Sequence, residues 1–210
     1  MSQTETCFFE RYAILSLRTL LGHRYDNLVN RDRPDLQTPD GHTIGIEVTR
    51  AMEQSKGAAE QLLDEIAGVV PREEDIEEYG RIISSGYGYG LQNGRYIGSK
   101  ELFYWKLARP LKEIIASKVS KAVCGLYGEF DRMGLFVFCK DSLSDADVFK
   151  TVKYTMELQE YADGGYDTLF LSEVNQLHVC NLRDDVSDSA RLATYDIPQE
   201  LRREFFIRSL

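Results

Sequence analysis

The stretch Arg33-Pro34-Asp35-Leu36-Gln37-Thr38-Pro39-Asp40-Gly41-His42-Thr43-Ile44-Gly45-Ile46-Glu47-Val48-Thr49 decides the fold. Pro34 to Thr38 reads as extended chain, because proline fixes φ and starts the run in a β-like conformation. Pro39-Asp40-Gly41 is a turn signal. Thr43 to Thr49 alternates and is rich in β-branched residues, the pattern of a strand. The two runs form a hairpin with Pro39 to His42 as its turn. That pairing sets Asp35 and Glu47, twelve residues apart, roughly opposite each other. Facing carboxylates repel and need a cation. An oxygen-rich site of this kind suits Mg²⁺ or Mn²⁺, which hold a phosphate oxygen and lower the pKa of an attacking water. Glu47 lies within Ile-Gly-Ile-Glu-Val-Thr, an apolar strand where an unpaired carboxylate is expensive to bury.

Outward from the hairpin, Glu5 to Leu21 has the apolar spacing of a helix, ended by Gly22. Met52 to Glu78 is helix-compatible and strongly acidic, with Pro71 separating two helices. From Gly80 to Gly98 the composition changes: Ser85 to Gly90 is a Gly/Tyr loop, and Asn93-Gly94 is a second turn signal. A helix is expected from Lys100 to Tyr127, bent near Pro110, then a buried strand over Leu135 to Cys139. Asp145 to Tyr161 reads as a helix. Tyr166 to Leu171 and Leu177 to Leu182 read as a strand hairpin, and Ile197 to Leu210 as a short helix begun by Pro198. This order predicts a mixed α/β (α+β) domain, a central mixed sheet flanked by helices.

The chain has 210 residues, 43% hydrophobic and 28% charged, the composition of one globular domain. A net charge of −9 excludes a uniformly basic protein that coats nucleic acid, but not a small basic site on an acidic body. Lys100, Lys106, Arg109, Lys112, Lys118 and Lys121 face only Glu101 and Glu113 in their region, so it is locally basic. The N-terminus lacks a basic leader followed by an apolar run, and no stretch has 18 uninterrupted apolar residues. Cys7, Cys124, Cys139 and Cys180 are too far apart for a Cys-x-x-Cys pair and read as reduced thiols of a cytoplasmic protein. His42 sits at the hairpin tip, near the acids in sequence but beyond their reach, and His23 and His178 have no partner at metal spacing. Gly86-Tyr87-Gly88-Tyr89-Gly90 lacks the Lys-Ser/Thr ending of a phosphate loop; it reads as a base-stacking flap or an ordinary insertion.

Pro34-Asp35 followed by Glu47-Val48-Thr49 resembles the PD-(D/E)XK nuclease superfamily, the restriction-endonuclease-like fold. The order of elements, from a first helix through the acidic hairpin and a crossover helix to a further strand, is similar too. The resemblance covers about Phe8 to Leu182 and implies a single nuclease-like domain over 1–210, with an acidic helical and Gly/Tyr insertion at about 52–98. It implies Mg²⁺ or Mn²⁺ held by Asp35, Glu47 and the Val48 carbonyl, and water attack on a nucleic-acid phosphodiester, DNA foremost. The family's usual lysine is Thr49 here. Members with Glu-x-Thr place that lysine on the following helix, and Lys118 or Lys121 would take its role. Glu10 matches a glutamate that members carry on the first helix. A homodimer would suit double-strand cutting. The other reading of the same fold is a catalytically inactive module that binds nucleic acid or a protein partner.

Overall fold

The computed structural model describes residues 8–50, 91–92, 95–96, 111–139, 143–173 and 175–209. The acidic helices expected over 52–78, the Gly86–Gly90 run, Cys7, and Lys100, Lys106 and Arg109 lie outside the described residues.

The chain opens with helix α1 (Phe8–Leu21). Its end comes at Gly22, whose φ of 73° is easy only for glycine. Three strands follow: β1 (Val29–Asn30), β2 (Leu36–Gln37) and β3 (Ile44–Arg50). β4 (Leu91–Gln92) and β5 (Arg95–Tyr96) form a separate ladder on either side of Asn93-Gly94. Then come α2 (Leu111–Val123), β6 (Arg132–Phe138), α3 (Asp145–Gln159), β7 (Thr168–Ser172), β8 (Gln176–Asn181), β9 (Leu192–Asp196) and α4 (Gln199–Ser209). The architecture is mixed α/β.

Seven strands make one sheet in the order β1-β2-β3-β6-β7-β8-β9. β3, β6 and β7 run parallel at its centre, and the outer pairs are antiparallel. This explains why β6 and β7 read as nearly continuous apolar runs: parallel central strands are covered on both faces. Side chains alternate across a strand. Ile46 and Val48 therefore share a face with their neighbours Phe136 and Phe170, and Glu47 shares the opposite face with Leu135 and Leu169.

Aromatic packing fixes the first face. Phe9 and Tyr12 of α1 meet Phe138 edge-on at 5.1 and 5.5 Å between centroids. Tyr12 also meets Phe205 of α4 at 5.5 Å, so α1 and α4 pack together on that side. α2 and α3 pack against each other and serve the Glu47 face.

The helix expected to reach Tyr127 stops at Val123. Gly125 turns left-handed at φ 72°, its N–H bonds to the Ala122 carbonyl at 2.9 Å, and the Leu126 N–H bonds to Lys121 at 3.1 Å. This Schellman closure satisfies the last carbonyls and frees Tyr127 from the helix. β1 and β9 were not foreseen. β1 has two residues in a polar stretch, and β9 is exposed along most of its length, so neither carries an apolar alternation. Cys139 and Cys180 are buried, whereas Cys124 is exposed. No helix among the described residues is long and apolar enough to cross a membrane.

Candidate active site

The site begins with a glycine. A Cβ on Gly45 would stand 2.8 Å from Pro34 Cγ and 2.9 Å from the Phe130 ring, so only glycine lets Pro34 lie against β3. The Gln37 side chain donates to the Pro34 carbonyl at 3.0 Å and holds the same segment from inside. The hairpin register is Leu36 opposite Ile46 and Gln37 opposite Gly45. One further step sets Asp35 opposite Glu47. Asp35 Oδ2 accepts the Val48 N–H at 2.8 Å. The N–H and C=O of one strand residue point to the same lateral side. The Val48 carbonyl therefore faces the side on which Asp35 lies.

Glu47 is buried and meets Lys118 of α2, Nζ to Oε1, at 2.5 Å. Lys121 is exposed instead. Three residues advance an α-helix by about 300°, so the two lysines sit about 60° apart, enough to turn one inward and leave the other in solvent. Thr49, half-buried, follows Glu47 on the same face of β3. Glu10 comes from α1. It is tied to the hairpin by Asn30, whose Nδ2 donates to Glu10 Oε2 at 2.6 Å and to the Asp35 carbonyl at 3.1 Å. Asn30 gave no sequence signal, because its role depends on β1 pairing beside β2. Glu10, Asp35, Glu47 and Lys118 are thus gathered, while Lys121 is not.

Two tyrosines back this cluster. Tyr166 donates its hydroxyl to the Lys118 carbonyl at 3.3 Å. Its own backbone is clamped by the Gln159 side chain, through bonds of 2.9 and 3.0 Å. Tyr127 packs on Tyr166 at 6.4 Å between centroids. The Tyr127 hydroxyl is buried within reach of Glu47 and Tyr166, but meets full hydrogen-bond geometry with neither.

The electrostatics follow from burial. The Asp35 carboxyl is pushed up to about 7, mainly by desolvation and then by the Glu47 charge. Glu10 adds to the rise, while the Val48 N–H and Lys118 oppose it. Burial, then Glu47, raises the Tyr127 phenol above its ordinary range. Burial is also the main cause of the rise at Tyr166, with Tyr127 next. Among the described residues Lys118 is the cation seen against these carboxylates.

Carboxylate and carbonyl oxygens are the donors that a hard divalent cation takes. Among the described residues no group of three or more His, Cys, Asp or Glu is arranged to hold a metal. The oxygen donors that the hairpin does bring together are the carboxylates of Asp35 and Glu47, with the Val48 carbonyl beside them.

The remaining candidates lie elsewhere. His42 meets Asp131 at 3.2 Å and His23 meets Asp26 at 2.9 Å, both in solvent. Lys112 sits over the Tyr154 ring, 4.9 Å from its centroid. His178, which lacked a partner in the sequence, is buried between Glu173 and Thr194, each at 2.9 Å. The strand pairing of β8 and β9 creates that contact. The chain matches no family model, no curated protein and no solved structure.

Proposed function

We propose that this chain is a metal-dependent nuclease that hydrolyses nucleic-acid phosphodiester bonds, on a restriction-endonuclease-like fold. The observation that carries this reading is the register that opposes Asp35 and Glu47, with Lys118 arriving from the next helix onto Glu47. The variant pattern Glu-x-Thr needs a lysine from that position. Asp35, Glu47 and the Val48 carbonyl would hold Mg²⁺ or Mn²⁺. The bound cation would supply charge neutralisation at phosphate and a more acidic water. Asn30 fixes Glu10 against the hairpin, and Glu10 orients water at the edge of the site. Lys118, once drawn off Glu47, offers its ammonium to the negative charge that develops on phosphate. Thr49 presents a hydroxyl where the usual lysine would lie and cannot supply that charge.

Calorimetry with Mn²⁺ and cleavage assays on single- and double-stranded DNA and RNA test this. The expected result is Mn²⁺ binding, with cation-dependent cleavage lost in Asp35→Ala and Glu47→Ala. Unchanged cleavage in the purified double variant would overturn it. Absence of both Mn²⁺ binding and cleavage would favour a catalytically inactive module that binds nucleic acid or a protein partner. The Lys118–Glu47 ion pair is the observation on that side, because it neutralises Glu47 without a metal.

A further inference from the structure

The Tyr127 hydroxyl is anomalous. Its residue is buried and the oxygen is shut away from solvent. Glu47 and Tyr166 come within its reach, but no described residue completes a hydrogen bond of full geometry with it. A buried hydroxyl in that state is costly, and such groups are normally paired. The sequence had a cheaper choice, since phenylalanine would fill the same space. The nearest charge is the Glu47 carboxylate, whose Oε1 is already engaged by Lys118. The hydroxyl is therefore placed for a state of the site in which Lys118 has left.

We propose that Tyr127 is a positioning residue for Glu47: when Lys118 releases the carboxylate, the Tyr127 hydroxyl donates to Glu47 and fixes its orientation. The inference rests on the metal-dependent reading above for its purpose, because Glu47 must exchange Lys118 for a divalent cation. The hydrogen bond itself does not need the metal. Tyr166 keeps α2 in place during the exchange, since it holds the Lys118 main chain rather than its ammonium. Lys118 can thus swing away without the helix moving.

Two measurements on the full chain test this. The first is Mn²⁺ calorimetry on wild type and Tyr127→Phe, with melting curves in EDTA and in Mn²⁺. A hydrogen bond to a charged group predicts about ten-fold weaker Mn²⁺ binding in Tyr127→Phe. The same variant should melt no lower than wild type in EDTA, because it deletes an unsatisfied hydroxyl. A role in packing alone would instead lower the EDTA melt and leave Mn²⁺ affinity unchanged. The second is a double-mutant cycle in EDTA with Lys118→Met, which frees Glu47 without any metal. Tyr127→Phe should then lower the folding equilibrium constant about ten-fold in the Lys118→Met background and not in wild type. Equal effects in the two backgrounds would overturn the proposal. Wild type that binds no Mn²⁺ but shows the expected cycle would overturn the metal reading and keep the Tyr127–Glu47 bond. Mn²⁺ binding with equal affinity in wild type and Tyr127→Phe would keep the metal reading and overturn the role of Tyr127.

Discussion

Lys118 closes onto Glu47 across 71 positions of sequence, ammonium nitrogen to carboxylate oxygen at 2.5 Å, in a setting where both side chains are largely shielded from water. Removing one partner of such a pair strands the other charge. Lys118→Met should therefore destabilise the chain by about 3–5 kcal/mol in EDTA. Lys121→Met, on the exposed side of the same helix, should stay within about 0.5 kcal/mol of wild type. Urea unfolding of both variants checks this. Under the nuclease reading, Lys118→Met also loses about 100-fold in cleavage rate while Lys121→Met does not. Equal losses in the two variants would refute the assignment of Lys118.

The Asp35 carboxyl predicts a pH dependence of stability. Its value in the fold, about 7, lies above its ordinary 3.8, so the folded chain holds that proton more tightly. The contribution of this group is therefore fully present below about pH 4 and is lost as pH rises through 7. Asp35→Asn keeps an acceptor for the Val48 N–H and carries no charge. In EDTA the variant should match wild type near pH 4 and exceed its stability at pH 8, by on the order of 2–4 kcal/mol. Denaturant midpoints at both pH values measure the gap. A gap that does not change with pH contradicts the buried, charge-crowded setting of Asp35.

The hairpin was legible because its signals are local. Pro34, the Pro39-Asp40-Gly41 turn and the alternation of β3 fixed a register that the structure keeps, with Leu36 opposite Ile46. The Lys118–Lys121 choice was not legible. Three-residue spacing puts both lysines near one face, and only packing of α2 on the sheet turns Lys118 inward. Asn30 and Tyr127 were hidden for a related reason. Asn30 matters through β1, a strand too short to show a pattern, and Tyr127 through a helix that ends earlier than its apolar spacing suggested. The burial of His178 likewise depends on β9, whose exposed residues gave no strand signal.

The cysteines differ in reactivity for a reason the fold supplies. Burial pushes the Cys180 thiol up to about 12, so almost no thiolate exists at pH 8. Cys139 is buried as well, while Cys124 stands in the exposed turn after α2. Iodoacetamide applied to the native chain at pH 8 should alkylate Cys124 and leave Cys139 and Cys180 unmodified until denaturant is added. Peptide mass mapping reads each site separately. Modification of Cys180 as fast as Cys124 in the native chain would show that β8 opens far more readily than its burial allows.

Gly45 links the turn of the hairpin to the chemistry of the site. A methyl group there would press within 2.8 Å of Pro34 and 2.9 Å of Phe130, and neither ring can fold away as a long flexible chain would. Gly45→Ala must therefore shift Pro34, and Asp35 is the next residue. Overpacking of this kind costs about 1–3 kcal/mol. The same shift should lengthen the Asp35–Val48 hydrogen bond and spoil the opposition of Asp35 to Glu47, so Mn²⁺ binding should fall along with stability. Gly134, in β6, is the control: a Cβ there meets Phe170 at 3.0 Å and Ile46 at 3.3 Å on the face away from Glu47. Gly134→Ala should lower stability and leave Mn²⁺ affinity within about two-fold of wild type. Paired melting curves and calorimetry separate the two effects. If both alanine variants weaken Mn²⁺ binding in proportion to their loss of stability, Gly45 has no special part in placing Asp35.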